Sequence, residues 1–280
     1  MQYFNRYIII IKKKLCFIKK IILLLFLIIF SFAKSNVNRP FVWADDENYW
    51  PAIYRNKDGK PAGIFNDILT EVFKRLNIPL EKSVYPWKRA QKLVKEGKAD
   101  GMVTVWTKER QKFTVATKPL WYIHETLFFR RDNPKACKIL RINSFKELQN
   151  LILVDTIGSG WSKEQYKKHH IKNVIWVPTI DSAFNMLAKK RADIYIMFSF
   201  NAYNFLLKKK NISGNPLSKD YQEIVAITPS FAKLPFRLLI RKDSPYVKKI
   251  KAINKVLEEM KKDGTYQKII QKYIGTIPTL

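Results

Sequence analysis

The chain has 280 residues and a strong basic excess, with 52 lysine and arginine residues against 23 aspartate and glutamate residues and a formal net charge of +29. Such a charge suggests nucleic-acid binding, but the lysines are spread along predicted helices, and no basic arm, zinc-finger, homeodomain or RNA-binding motif is found. We therefore expect no nucleic-acid partner, and we expect the charge to act on anionic surfaces or anionic ligands.

The first 33 residues predict an export signal. A basic region is followed by an apolar core at 21–32 and by small residues at the expected cleavage site. This apolar run is shorter than the roughly 20 residues that a membrane span needs, which favours a cleaved leader over an uncleaved anchor. Cleavage would remove Cys16 and leave Cys137 alone, so no intramolecular disulfide could form. We expect a mature protein in the periplasm.

The segments that follow alternate between strand and helix patterns. In chain order they are a strand at 39–44, a turn-rich loop at 45–63, a helix at 65–78, a strand at 80–87, a helix at 88–98 and a strand at 99–106. This βαβαβ order is typical of an α/β lobe.

A second run repeats the plan. It comprises a strand at 151–155, a glycine turn at 156–161, a helix at 162–170, a strand at 173–178, a helix at 181–191 and a strand at 192–198. A further strand at 236–244 and two helices at 244–264 and 265–275 complete the chain. We expect lobe 1 to comprise 34–128 and 229–280 and lobe 2 to comprise 129–228. Two extended crossings, 125–131 and 221–228, would form the hinge.

The order and spacing of several short motifs resemble the bacterial extracellular solute-binding proteins of family 3, the polar amino-acid-type receptors of ABC importers, in a divergent branch. The motifs are Tyr49-Trp50-Pro51, Asp58-Gly59, Ala62-Gly63-Ile64 with Asp67, Trp87, Gly97-Lys98-Ala99-Asp100, Thr107-Lys108-Glu109-Arg110, Gly158-Ser159-Gly160, Lys190-Arg191-Ala192-Asp193, Asp263-Gly264-Thr265-Tyr266 and Lys272-Tyr273-Ile274-Gly275. The resemblance implies an α/β, two-lobed, type II periplasmic-binding-protein-like fold with two hinge strands and a ligand cleft between the lobes. It also implies a monomeric receptor that delivers a small solute to an importer, without cofactor or metal.

Arg110 is the main candidate for a ligand contact. In the first turn of a helix an arginine can be a solvated charge, but the resemblance places this one on the ligand's carboxylate, which a planar guanidinium binds through two parallel hydrogen bonds. The other positions that the resemblance places at the ligand are Tyr49 as a stacking ring, Asp46, Trp87, Ser159 and Gly160. Strand alternation puts Thr104 and Trp106 on one face of the strand that leads to Arg110, which adds them to the candidate site. Trp87 has core packing as an equal alternative, and Arg89 is either a surface charge or a second anion contact.

One position departs from the family pattern. The acid that typically binds the ligand's α-ammonium should lie five residues after Asp193, where this chain has Phe198, followed by Ser199. A buried ammonium without a carboxylate partner is costly. Either Asp46, with Asp45 and Glu47 nearby, supplies the charge, or the ligand is not an α-amino acid.

Two other functions share this predicted fold. One is an enzyme resembling cyclohexadienyl dehydratase, for which Asp46, Glu125 and His124 are candidate acids or bases. The other is a sensor that passes ligand binding to a signalling partner. The adjacent His169 and His170 point about 100° apart on a helix, which does not favour a metal site. We expect a binding protein rather than an enzyme.

Overall fold

A computed structural model describes residues 39–198, 202, 205–206, 209, 218–227 and 232–274. The predicted leader, 1–33, and the predicted site residue Ser199 lie outside this part of the chain. The described residues from Pro40 onwards belong to one compact unit. None of the helices in the described ranges has the length and apolar character that a membrane crossing requires.

The described strands and helices follow the predicted alternation. The strands are β1 (Phe41–Asp46), β2 (Asn48–Tyr49), β3 (Ile53–Arg55), β4 (Pro61–Ala62), β5 (Leu80–Tyr85), β6 (Gly101–Thr104), β7 (Thr114–Arg130), β8 (Leu153–Thr156), β9 (Val174–Val177), β10 (Ile194–Phe198), β11 (Ile224–Ala226) and β12 (Ala232–Arg241). The α-helices are α1 (Ile64–Arg75), α2 (Trp87–Lys95), α3 (Lys108–Gln111), α4 (Ala136–Ile139), α5 (Gly160–Lys168), α6 (Ile180–Ala188), α7 (Ser218–Gln222), α8 (Ile250–Lys262) and α9 (Thr265–Ile274). Short 3₁₀ helices lie at Phe145–Leu148 and Pro245–Lys249.

The strands form a large mixed sheet in the order β5-β1-β6-β12-β7-β10-β8-β9, with β11 beside β7 and a separate small sheet β2-β3-β4. In one half, β1 is parallel to β5 and β6; in the other, β8 is parallel to β9 and β10. The long strands β7 and β12 run antiparallel to each other between the halves. The predicted two-lobed α/β fold with two hinge strands is confirmed.

Each half buries its own apolar side chains. Helix α1 places Ile64, Ile68, Leu69, Val72 and Phe73 on one buried face, as its helical spacing predicts. In the first lobe a cluster of Ala44, Val94, Ala99, Met102 and Leu239 packs β1, α2, β6 and β12 together. In the second lobe, the cluster is Leu127, Phe129, Ile139, Ile142, Leu148, Leu151, Leu153, Tyr166, Ile171, Ile194 and Ile196. Two cores of this kind give two rigid bodies on which a cleft can be built.

The second predicted crossing, 221–228, is only partly right. Its first residues end helix α7, and its strand is the short β11, which pairs with Phe128–Arg130 inside the second lobe. The strand that returns through the hinge is β12, which begins at Ala232. Its residues 232–236 pair with β7 as far as Glu125, and this pairing identifies it as the second hinge strand. The lobe boundaries at 128 and 229 stay predictions: the first lies within β7, and the second lies outside the described residues.

Candidate ligand-binding cleft

The carboxyl ends of strands from both lobes meet at one cleft of about 950 Å³. From the first lobe it is lined by residues within 45–57, 86–87 and 103–105 and by Arg110; from the second it is lined by residues within 155–162, 178–181 and 196–197. Strands β1, β6 and β8 end here, and ligands of open α/β sheets bind in the crevice outside such strand ends. The volume is at the upper end of the range for small-molecule sites.

Arg110 lies at the centre of the first-lobe wall and is only 5% exposed. Thr107 caps helix α3 and accepts a hydrogen bond from the Arg110 backbone N–H. Nη1 donates to Thr104 Oγ1 at 3.1 Å and to the Val105 carbonyl at 2.8 Å, while Nη2 donates to Gln91 Oε1 at 2.9 Å. Within the described part of the chain, no carboxylate forms an ion pair with this guanidinium. Its position is therefore fixed by neutral acceptors, and its charge is available to an anion.

Burial lowers the pKa of Arg110 to about 10, and the more distant Glu109, Glu164 and Asp45 act in the opposite direction. The guanidinium stays protonated at neutral pH. Its carbon lies 5.4 Å from the centre of the Trp87 ring, which adds a cation–π contact.

Several hydrogen bonds cross the cleft beside Arg110. Trp87 Nε1 donates to the Gly158 carbonyl at 3.1 Å, and Gln91 Nε2 reaches the same oxygen at 3.4 Å. The Lys108 backbone N–H donates to Glu164 Oε1 at 2.6 Å. The loop between β8 and α5 therefore lies directly against helices α2 and α3.

The N-terminus of helix α5 faces Arg110 from the second lobe. Ser159 is its N-cap and Gly160 its first residue, so N–H groups without helical partners begin here. A side chain at Gly160 would place its Cβ 3.2 Å from Arg110 Nη2, which explains why glycine suits this close approach. A guanidinium and a helix N-terminus on opposite walls both favour a negatively charged group between them.

Two adjacent acids end strand β1. Asp45 is 1% exposed and accepts hydrogen bonds from Trp43 Nε1, the Val103 N–H and the Asp46 N–H, which ties β1 to β6. Asp46 lies closer to the cleft opening and accepts from the Asn48 N–H. Burial raises the pKa of Asp45 to about 7 and that of Asp46 to about 6. The partners of Asp45 give it a structural task, whereas Asp46 can still accept from a ligand.

Two further acids lie deeper, one on the hinge and one on the second lobe. Asp155 is the last residue but one of β8 and accepts hydrogen bonds from Tyr166 Oη at 2.9 Å and the Thr156 N–H at 2.6 Å. Glu125 lies on hinge strand β7, is 8% exposed and lines the cleft. Burial, with the charge of Asp155 as a smaller contribution, raises the pKa of Glu125 from 4.5 to about 8; burial raises that of Asp155 to about 6.

An aromatic cluster closes the hinge side of the cleft. Tyr49 stacks on Phe198 with ring centres 5.4 Å apart and on Phe236 at 5.9 Å. Trp121 meets the edge of Phe198 at 5.8 Å, and Phe65 stacks on Phe236 at 5.7 Å. These rings join both lobes and both hinge strands into one apolar wall.

The structure brings together most of the predicted ligand positions. Those that line the cleft are Arg110, Tyr49, Asp46, Trp87, Thr104, Ser159 and Gly160. Trp106 is 38% exposed and is not part of the lining, because β6 ends at Thr104 and its alternation does not continue. Phe198 is fully buried behind Tyr49. Arg89 lies on the surface, 4.9 Å from the ring of Tyr85.

Sequence reasoning missed Asp155 as a cleft residue and Gln91 as a hydrogen-bond partner of Arg110, and it named Glu125 only as a possible catalytic acid. Asp155 could have been found from its place after the apolar run of β8, since polar residues at such strand ends face the ligand crevice. Gln91 carries no such signal, because only the crossing of α2 with the β8–α5 loop brings it there. Of the candidate dehydratase groups, Asp46 and Glu125 line the cleft, and His124 is absent from its described lining.

The described residues contain no group of three or more histidine, cysteine or acidic side chains placed to hold a metal ion. Cys137 is free and exposed. His169 stacks on Phe145 with ring centres 5.5 Å apart.

A two-lobed α/β fold with a buried arginine facing a helix N-terminus across a hinged cleft defines a small-solute receptor. Residues 41–276 match the family model of the bacterial extracellular solute-binding proteins, family 3, and the chain belongs to this family.

A probable amino-acid-binding protein of Bacillus subtilis (strain 168), YxeM, is 27% identical over 250 residues, which cover 88% of this chain and 87% of that protein. Among solved structures, a histidine kinase sensor domain with similarity to periplasmic binding proteins has a TM-score of 0.70 at 18% identity and covers 85% of this chain and 96% of its own. An ancestral arginine-binding protein bound to glutamine has a TM-score of 0.66 at 23% identity, with coverage of 85% and 99%. These two likenesses support the fold.

Proposed function

We propose that this chain is a periplasmic receptor that captures a small carboxylate-bearing solute, an amino acid or a related compound, and delivers it to the membrane subunits of an ABC importer. Arg110 carries the proposal: a buried guanidinium is fixed by Thr104, Val105 and Gln91, and no described carboxylate neutralises it. A ligand carboxylate between this guanidinium and the N-terminus of α5 would accept hydrogen bonds from both. Such a ligand would also hold the two lobes together.

Membership of a solute-binding family and the amino-acid-binding relative support a receptor without catalytic turnover. We propose that it acts as a monomer. The predicted leader at 1–33 supports export to the periplasm. A sensor would use the same cleft and differs only in its partner.

The test is a thermal-shift screen of protein purified without denaturation. The ligands are amino acids, their des-amino and decarboxylated analogues, and small organic acids. A ligand that binds only the folded state raises the thermal midpoint. Replacing Arg110 removes charge-assisted hydrogen bonds worth roughly 3 kcal/mol, so Arg110→Ala should weaken carboxylate binding by about 100-fold.

Arg131→Ala is the matched control, since that arginine pairs with Glu223 on the surface, away from the cleft. Binding that survives Arg110→Ala within about threefold contradicts the carboxylate assignment. Turnover of prephenate or arogenate would instead favour a dehydratase.

A further inference from the structure

The described residues that line the cleft include more acidic than basic side chains, unlike the chain as a whole. The acidic side chains that line it are Asp45, Asp46, Glu47, Glu125, Asp155 and Asp181, and the basic ones are Arg55, Lys57 and Arg110. Arg55 is already paired with Glu47 at 2.7 Å. In a chain with more than twice as many basic as acidic residues, this reversal favours a ligand that carries positive charge besides its carboxylate.

Glu125 differs from the other buried acids of the cleft in its hydrogen bonding. Asp45 and Asp155 each accept hydrogen bonds from neighbouring donors. No donor from the described residues reaches the Glu125 carboxyl group, although the side chain is 8% exposed and lines the cleft. The carboxyl oxygens are not among the fully buried polar atoms that lack a partner, so they are accessible from the cleft, where a ligand can supply the donor.

The strand register explains how Glu125 reaches a ligand-binding position. In the antiparallel pairing of β7 with β10, Glu125 lies directly opposite Phe198, and on its other side it lies opposite Ala232 of β12. Directly opposed residues project to the same face of a sheet, with Cβ atoms about 5 Å apart. A carboxyl group therefore stands one strand away from the position where the family pattern has its acid and this chain has a phenylalanine.

The surroundings suit an ammonium or guanidinium group. Of the aromatic cluster, Tyr49, Phe65 and Phe236 line the cleft, whereas Phe198 is buried behind Tyr49. Aromatic rings attract cations. Trp121 projects to the same face of β7 as Glu125, four residues away.

We propose that Glu125 is the acceptor for a cationic nitrogen of the ligand, in place of the missing acid at 198, and that this chain therefore selects solutes with both a carboxylate and an amine. This inference rests on the proposed function. It adds that the amine, and not only the carboxylate, is recognised, and that the recognising group is on the hinge. Ligand binding at a hinge strand would couple recognition to closure of the lobes.

The experiment uses four probes of equal chain length: L-lysine, L-norleucine, 6-aminohexanoate and hexanoate. They differ only in which amines they carry. Dissociation constants are measured by calorimetry for the natively recovered protein and for Glu125→Gln, which keeps the shape of the side chain and removes its charge. Glu223→Gln is the control, because that residue pairs with Arg131 on the surface.

We expect Glu125→Gln to weaken at least one amine-bearing probe by about tenfold or more, which is the usual loss for a charged hydrogen bond, and to leave hexanoate unchanged. Whether norleucine or 6-aminohexanoate is affected identifies the amine. If Glu125→Gln binds all amine-bearing probes as tightly as the wild type, the Glu125 assignment is overturned and the carboxylate site stands. The same conclusion follows if Asp46→Asn, and not Glu125→Gln, weakens binding of these probes. Probes that bind Arg110→Ala as tightly as the wild type overturn the proposed function. Hexanoate that binds as tightly as L-lysine and L-norleucine overturns the selection for an amine.

Discussion

Glu125 should make the ligand-free protein less stable as the pH rises from 5 to 8. Its pKa is about 8 in the folded chain, against an ordinary value of 4.5. Between these two values the unfolded chain loses the proton that the folded chain keeps. The unfolded state then binds fewer protons, so the free energy of unfolding falls with increasing pH. The substitution Glu125→Gln, which cannot titrate, should remove this contribution.

The size of the effect follows from the two pKa values. The part of the free energy of unfolding that depends on Glu125 decreases by about 3 kcal/mol between pH 5 and pH 7.5. For a domain of this size that corresponds to roughly 6–12 °C in thermal midpoint. Asp45, with a pKa of about 7, and Asp46 and Asp155, each with a pKa of about 6, contribute in the same direction and remain in the variant.

Urea unfolding of both proteins at pH 5, 6 and 7.5 measures the difference directly. The wild-type free energy should fall more steeply than that of Glu125→Gln, and the two curves should approach each other at pH 5. Parallel curves would refute the reasoning, because they would show that Glu125 ionises normally in the folded chain. An amine-bearing ligand should flatten the wild-type curve, since its cation favours the ionised carboxylate.

Two further variants test contacts outside the acid cluster. Trp87→Phe removes the hydrogen bond to the Gly158 carbonyl that joins the lobes. Ligand affinity should therefore fall about three- to tenfold, while the urea midpoint stays nearly constant. A lower urea midpoint would show instead that this bond contributes to the stability of the fold. Arg130→Ala leaves the Ala188 carbonyl without its 2.7 Å donor and should lower the free energy of unfolding by about 2–4 kcal/mol in the same urea assay. Arg131→Ala, at an exposed position, should change it by less than about 1 kcal/mol, and similar losses in both arginine variants would contradict the burial argument.

The strand and helix order could be read from the sequence because apolar periodicity reports local structure. Helix α1 and strand β8 were predicted to within a few residues by the spacing of their apolar side chains. The hinge was harder to predict from the sequence. The segment 224–226 has the β-branched composition of a strand, but composition does not say which strand it joins, and it pairs within the second lobe.

Some residues of the candidate site could likewise be predicted from the sequence, and others could not. Arg110 was singled out because the segment Thr107–Arg110 resembles the family's carboxylate-binding motif, and the structure adds that Thr107 caps its helix. Trp106 was placed wrongly relative to the cleft because strand alternation was extended past the end of β6. The role proposed for Glu125 depends on the register of β7 against β10 and β12, which joins residues more than 70 and 100 positions apart. No local pattern contains that information.

The acids of the cleft also bear on selectivity through the cost of ionising them together. Burial is the main cause of the raised pKa values of Asp45 and Glu125, and the charges of Asp46 and Asp155, respectively, raise them further. A ligand with a second carboxylate would meet this repulsion. A ligand with an amine would relieve it, because its cation stabilises the ionised form of the nearest acid. If Glu125 binds the amine, this cost in the ligand-free cleft would add to the contacts that favour an amine, provided that Glu125 and Asp155 stay close to each other.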